Sequence, residues 1–167
     1  HMAAKAVTFA EALEFGKDYA SQTIKNAKDL AVALNDLGFK VLGEKKGFTQ
    51  SHQAVVNVLD YGDGGKIEAD LEKANIIVNR QLIPGDIKAK RHYMHPGGIR
   101  LGSSEVTRLG MKESEMQEIA SLIKQVVIDK KDAKEVAGRV MELRKNYQKT
   151  EYCFDNKLGA YEYVKLR

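Results

Sequence analysis

The chain has 167 residues, of which 43% are hydrophobic and 30% are charged, and its formal net charge at pH 7 is +4. This length suits one compact domain, and the composition excludes a disordered chain. No apolar run approaches the roughly 20 residues of a membrane-spanning helix, so a membrane-spanning protein is excluded as well. The single cysteine, Cys153, excludes an intrachain disulfide and fits a cytoplasmic location, and interspersed acidic and basic residues argue against nucleic acid as a partner.

The N-terminal region predicts helices. We interpret residues 1–2 as the remnant of an expression tag and residues 3–37 as linking helices, because alanine and larger apolar residues recur there at helical spacing. Gly16 permits a break between two helical pieces. Gly38 follows the last periodic residue, a position where glycine commonly ends a helix.

The patterns between residues 38 and 84 predict three short strands and one helix. A loop rich in glycine and aspartate separates the second strand from the helix, whose apolar residues share one face. The expected elements are strands at 39–42, 52–59 and 76–78, a loop at 60–65 and a helix at 66–74.

The most informative segment is Gly98-Ile99-Arg100-Leu101-Gly102. Side chains alternate along a strand, so Ile99 and Leu101 should point into the core while Arg100 shares the other face with the two glycines. A guanidinium without bulky neighbours leaves room for a planar carboxylate, which it can bind through two parallel hydrogen bonds. Arg100 is therefore a candidate carboxylate clamp, and the alternative is an edge-strand arginine in a surface salt bridge.

The segment before this strand, residues 85–97, lacks periodicity, and we interpret it as a functional loop. Its two histidines, His92 and His95, do not predict a metal site, because two ligands without a cysteine pair are too few to indicate zinc.

Two helices and a hairpin are expected in the remainder. Glutamates from Glu113 onwards mark a helix start, where the helix dipole favours them, and Asp132 with Glu135 resembles a capping box. The tyrosine-rich tail predicts a hairpin between residues 152–154 and 161–166. Together these patterns predict an α/β (α+β) fold, a small and mostly antiparallel sheet covered by helices.

Several motifs also occur in a familiar order. The segment Asn75-Ile-Ile-Val-Asn79-Arg-Gln81-Leu-Ile-Pro84-Gly-Asp86 is followed by the Arg100 strand, by Thr107-Arg-Leu-Gly110 and by the helix that starts near Glu113. This order resembles the C-terminal small domain of serine hydroxymethyltransferase over about residues 3 to 130, with an archaeal enzyme as one possible source. The resemblance implies the small-domain fold of fold-type-I pyridoxal-phosphate enzymes, with its core at 38–130 and an extra helix and tail at 131–167.

The activity that this resemblance implies is the interconversion of serine and glycine by transfer of a one-carbon unit to a reduced pterin. Arg100 would bind the carboxylate of the amino acid. No residue of this chain would be catalytic, because the Schiff-base lysine belongs to an N-terminal large domain that also holds most of the pyridoxal phosphate. The implied partners are that large domain and a second subunit of a homodimer, and this segment alone should be inactive.

The resemblance further implies that part of the pterin site lies at Asn79, Gln81, Lys88, Lys90 and Arg91. Gln81 replaces a family asparagine, and extra residues before Gly97 bring basic side chains into the region. Two interpretations stay open: a loop refitted for a more anionic carrier such as tetrahydromethanopterin instead of tetrahydrofolate, or a merely solvated loop.

A different class of function is a free-standing small α/β module that binds an anionic ligand or RNA through residues 88–92. A threonine-rich lysine motif upstream of Ala3 would favour the enzyme, and a native start codon there would favour the module. A related enzyme such as a threonine aldolase shares the fold and the arginine, so the reaction type depends on the string of motifs.

Overall fold

The computed structural model describes residues 2–155. In that part of the chain the helices are α1 (Met2–Asp36), α2 (Gly64–Lys73), α3 (Ser104–Arg108), α4 (Glu113–Val127) and α5 (Ala133–Lys145). The strands are β1 (Lys40–Val41), β2 (Gln53–Asn57), β3 (Asn79–Gln81) and β4 (Gly98–Gly102), and a short 3-10 turn spans Glu44–Lys46.

The four strands form one antiparallel sheet in the order β1-β2-β4-β3. Helix α1 packs on β1 and β2, α2 packs on β3 and β4, and α4 and α5 complete the helical layer. The predicted fold class, a small antiparallel sheet covered by helices, is confirmed. The division at residues 37/38 and 130/131 stays a prediction.

The core lies between the sheet and the helices. Ile99 and Leu101 of β4 are buried, so the predicted inward face of that strand is confirmed, and Ala54, Val56 and Val58 in and beside β2 are buried as well. The helices contribute buried side chains that are spaced by three or four residues. These include Leu30, Leu34, Ile67, Leu71, Met116, Ala120 and Ile123.

Helix α1 is continuous, so the predicted break at Gly16 is wrong. A glycine inside a helix costs only about 1 kcal/mol relative to alanine, which the surrounding alanines and the packed second half of α1 offset. The predicted end is confirmed, because Gly38 has φ 95° and its N–H donates to the carbonyl of Asn35 at 3.0 Å.

Other expected bounds shift. The third strand starts at Asn79 rather than at residue 76, because Asn75 has φ 60° and the N–H of Ile76 still bonds to the Leu71 carbonyl, which closes α2. The sequence patterns do not predict α3. The first half of the predicted hairpin is wrong, since residues 152–154 form bends, and its second half lies outside the described residues.

Helix α1, although long, carries many charged residues. Across residues 2–155, no helix combines the length and the apolar character that a membrane span requires.

Candidate functional site

The sheet face opposite the helices carries polar side chains and Arg100. Because Ile99 and Leu101 point inward, their neighbours in β4 and the residues paired with those neighbours point to this second face, which we call the open face. Around Arg100 its residues are Gln53, Val55, Asn57, Asn79, Gln81, Gly98 and Gly102.

Arg100 lies in the middle of this face, between Val55 of β2 and Asn79 of β3. Its Nη2 donates a hydrogen bond to Asn79 Oδ1 at 3.2 Å. Among residues 2–155, none of the ion pairs includes Arg100. A guanidinium has five N–H donors, so this half-exposed side chain has the capacity to bind a carboxylate as well as Asn79.

The two glycines of β4 differ in what they leave open. A Cβ atom on Gly102 would meet nothing within 4 Å, as expected for free space beside Arg100. A Cβ on Gly98 would lie 2.4 Å from Ile83 Cγ2, so that position is already filled. The expectation of bare backbone on both sides of Arg100 is therefore wrong at Gly98, because the chain after β3 folds back over it.

The candidate pterin residues fall into two groups. Asn79 and Gln81 lie on the open face, and the Gln81 amide donates to the Leu82 carbonyl at 3.0 Å. Lys88 and Lys90 are exposed in the loop between β3 and β4. Arg91 lies in the same loop, and its Nε is 3.4 Å from the carboxylate of the buried Asp86. Asn79 thus contacts Arg100, and Arg91 forms an ion pair with Asp86.

His95 extends from this loop to the start of α2. Its Nδ1 lies 3.4 Å from Asp63 Oδ2, and Asp63 caps α2 by accepting a hydrogen bond from the Lys66 N–H at 3.0 Å. The bond from Lys66, aided by His95, lowers the pKa of Asp63 below its ordinary value of 3.8. Within the described ranges, no cluster of three or more His, Cys, Asp or Glu residues is arranged to hold a metal ion.

The Asp63 cap predicts an acid-sensitive contribution to stability. A carboxylate whose folded pKa is depressed stabilises the fold above its unfolded pKa, and this contribution is lost as the pH falls through the folded pKa. We expect Asp63→Asn to be less stable than the parent chain at pH 7, with the difference shrinking as the pH falls below about 4. Thermal unfolding of both proteins between pH 7 and pH 3 measures this.

The control for that series is Glu72→Gln, which removes an exposed carboxylate from the same helix away from its N-cap. A stability difference between Asp63→Asn and the parent that stays constant over the whole range would contradict the assignment.

A buried polar cluster, which sequence reasoning missed, fixes α3 directly after the Arg100 strand. Asn26 of α1 is fully buried, and its Nδ2 donates to Thr107 Oγ1 at 2.8 Å and to the Met111 carbonyl at 2.9 Å. Ser103 Oγ donates to the Thr23 carbonyl at 2.8 Å. The available signal was an asparagine inside the apolar stripe of α1, because buried amides are almost always hydrogen-bonded.

The comparison with protein families gives one match. The family model described as serine hydroxymethyltransferase matches residues 1–123, which is well over half of the chain.

Among curated proteins, one named serine hydroxymethyltransferase from Nitrosopumilus maritimus is 78% identical over 167 residues, which are 100% of this chain and 38% of that protein. A protein of the same name from Cenarchaeum symbiosum is 71% identical over the same shares. The chain therefore spans 38% of the length of these relatives.

Among solved structures, an L-threonine transaldolase from Pseudomonas fluorescens in the internal aldimine state superposes with a TM-score of 0.78. It is 36% identical in sequence, and the match covers 91% of this chain and 34% of the transaldolase chain. The similarity therefore extends to the arrangement of helices and strands.

Proposed function

Because the chain belongs to the serine hydroxymethyltransferase family, we propose that it is the C-terminal small domain of an enzyme that interconverts serine and glycine. In this enzyme a one-carbon unit passes to a reduced pterin. The observation that carries the proposal is Arg100, which stands half-exposed on the open face with one amide partner. Family membership favours this enzyme over the free-standing module that binds an anionic ligand or RNA.

Arg100 binds the carboxylate of the amino-acid substrate in this proposal. Its strand is held on both sides by antiparallel pairing and from beneath by Ile99 and Leu101, so its Cα has little freedom to move. Asn79 holds one end of the guanidinium and so limits its rotamers. A substrate carboxylate gains most from this contact when a second domain covers the open face, because exclusion of water strengthens charge-assisted hydrogen bonds.

Pyridoxal phosphate, when bound, supplies the electron sink for chemistry at the amino acid's Cα. The open face of this chain fits a single carboxylate better than a phosphate. Apart from Arg100, the basic residue that the described strands place on this face is Lys40, and its Nζ is already 2.7 Å from Asp60. We therefore assign the hold on the cofactor to the part of the relatives' length that this chain does not match, the proposed N-terminal large domain.

The proposed partner domain also has a surface to contact. The first half of α1 exposes Phe9 and Leu13, which are 67% and 90% accessible. The opposite side of the same half is covered, since Phe15 packs against Phe154 at a ring-centroid distance of 5.5 Å. This apolar face supports packing of α1 on the large domain or on a second subunit of the proposed homodimer.

A chimeric enzyme tests the proposed function. It carries residues 3–167 in place of the matching segment of the Nitrosopumilus maritimus relative, to which the chain is 78% identical. We expect the chimera to interconvert serine and glycine and the isolated chain to be inactive. A folded chimera that holds pyridoxal phosphate and has no such activity would contradict the proposal.

The basic side chains of the loop support a second element of the proposal, the choice of pterin. Lys88 and Lys90 are exposed in the loop between β3 and β4, and neither forms an ion pair within residues 2–155. We propose that they bind the acidic groups of a more anionic carrier, tetrahydromethanopterin, while Asn79 and Gln81 contact the ring system. This arrangement keeps the positive charge at the rim of the site, where it attracts an anionic ligand.

Neutralising both lysines measures this contribution. We expect Lys88→Gln/Lys90→Gln in the chimera to raise the KM for tetrahydromethanopterin by about 2- to 30-fold, because each exposed charge pair contributes about 0.2–1 kcal/mol. The KM for serine should not change. The matched control is Lys45→Gln/Lys46→Gln in the 3-10 turn, which should leave the KM for tetrahydromethanopterin unchanged. A clear preference of the unaltered chimera for tetrahydrofolate would reject the carrier assignment.

A further inference from the structure

One buried carboxylate closes the loop between β3 and β4. The side chain of Asp86 is 3% exposed, and its Oδ2 accepts hydrogen bonds from the Ile83 N–H at 3.0 Å and from the Gly97 N–H at 2.7 Å. Its Oδ1 lies 3.4 Å from Arg91 Nε. Asp86 therefore joins the chain just after it leaves β3 to the chain just before it enters β4.

The packing around this carboxylate leaves little space. A Cβ atom on Gly97 would lie 2.7 Å from Asp86 Oδ1 and 3.0 Å from Ile83 Cδ1, so glycine is needed there. Ile83 in turn covers Gly98, where a Cβ would lie 2.4 Å from Ile83 Cγ2. Asp86 thereby holds Ile83 against Gly98 of β4, and Gly98 lies two residues before Arg100.

The same short stretch is also tied to the rest of the fold. The Gly97 carbonyl accepts from the Val58 N–H at 2.9 Å, and the Pro96 carbonyl accepts from the Gly64 N–H at 2.6 Å. Residues 87–95 are exposed, in contrast to these anchored ends. The loop thus has a rigid base, set by Asp86, and an accessible outer part.

From this geometry we propose that Asp86 is a positioning residue for substrate binding. Its carboxylate aligns the adjoining ends of β3 and β4, so that Arg100 and Asn79 present their polar groups to one substrate carboxylate. Arg91 is the charge partner of Asp86 and does not contact the pterin. The substrate in this inference is the amino acid of the proposed function, on which the inference rests.

The position of Asp86 requires a side chain with a hydrogen-bond acceptor. Asp86 accepts two backbone N–H groups and faces a guanidinium, and every one of these partners is a donor. Both backbone bonds end on Oδ2, so alanine leaves the two N–H groups without an acceptor, whereas asparagine can keep its single carbonyl oxygen in the place of Oδ2. A buried N–H that loses its acceptor is costly, and the loop base relaxes to recover a partner.

The test is a set of variants in the chimeric enzyme. We expect Asp86→Ala to raise the KM for serine by about 10- to 100-fold, because a shift of about 1 Å in a positioned group can cost 100-fold, while kcat changes by less than about threefold. Gly97→Ala should act in the same direction, since its Cβ displaces the carboxylate. The KM for serine of the double variant should be no higher than that of the more impaired single variant, because both changes disrupt the same contact between Asp86 and Gly97.

Two controls separate positioning from general destabilisation. Glu142→Gln removes an exposed carboxylate that pairs with Lys145 in α5 and should leave the KM for serine unchanged. Arg91→Gln should raise that KM by less than about threefold, since the two N–H bonds to Asp86 remain, and should leave the KM for the pterin unchanged.

Each outcome decides the matter. If Asp86→Ala lowers the melting temperature but leaves the KM for serine unchanged, Asp86 is only structural and the inference is overturned. If Asp86→Ala does not fold, an unchanged KM in Gly97→Ala overturns it. A raised pterin KM in Arg91→Gln overturns the role given to Arg91. Failure of the proposed function is distinct, because then the unaltered chimera is inactive or Arg100→Gln has no effect.

Discussion

Arg100→Gln in the chimeric enzyme is expected to lower kcat/KM for serine by about 30- to 4000-fold. Removing one partner of a desolvated charge pair costs about 2–5 kcal/mol, much of it from the charge left unpaired, and each 1.4 kcal/mol is tenfold. Arg100 has no carboxylate partner among the described residues, so the variant does not break an internal ion pair. Steady-state kinetics with serine as the varied substrate measures the loss.

Two further variants define the cause of that loss. Arg100→Lys keeps the charge but not the planar fork of donors, so its kcat/KM should lie between those of the parent and Arg100→Gln. Arg80→Gln, in the neighbouring strand, removes an arginine that pairs with Glu68 and should affect stability more than kcat/KM. A kcat/KM for Arg100→Gln within about twofold of the parent would contradict the assignment.

The second large effect is expected on stability. Asn26→Ala should lower the free energy of unfolding by about 2–4 kcal/mol, because it leaves Thr107 Oγ1 and the Met111 carbonyl without their buried donor and creates a small void. For a domain of this size the melting temperature should fall by about 4–16 °C. Denaturant and thermal unfolding of the isolated chain measure both quantities.

Its matched control lies in the same helix. Asn35 is only half-buried in α1, and Asn35→Ala should change the free energy of unfolding by no more than about 0.5 kcal/mol. Equal losses in the two variants would contradict the role of the link from Asn26 to α3, because alanine forms helices better than asparagine and propensity alone would not lower stability.

The parts of the fold that the sequence predicts correctly are those that local periodicity determines. In β4 the alternation of Ile99, Arg100 and Leu101 assigns each side chain to a face without knowledge of any other strand. In α2 and α4 the apolar spacing likewise identifies the buried face. The placement of Arg100 on the open face therefore follows from five consecutive residues.

The parts that the sequence does not predict depend on contacts between distant residues. Nothing local indicates that Ile83 fills the space above Gly98 or that Asn26 bonds to Thr107, since these pairs meet only in the folded chain. Gly16 shows the opposite error, because a residue that permits a break need not produce one when its helix is packed on one side. The start of β3 shifts because Asn75 adopts a left-handed conformation and the Ile76 N–H bonds back to the Leu71 carbonyl, so the chain becomes extended later than the pattern suggests.

The central claim is that the Arg100 guanidinium binds the carboxylate of the amino-acid substrate. The most direct measurement compares kcat/KM for serine with kcat/KM for serinamide, which lacks the carboxylate, in the parent chimera and in Arg100→Gln. We predict that the parent strongly prefers serine and that Arg100→Gln loses this preference. The kcat/KM for serinamide should differ little between the two proteins. An equal loss of kcat/KM for both substrates would contradict the claim.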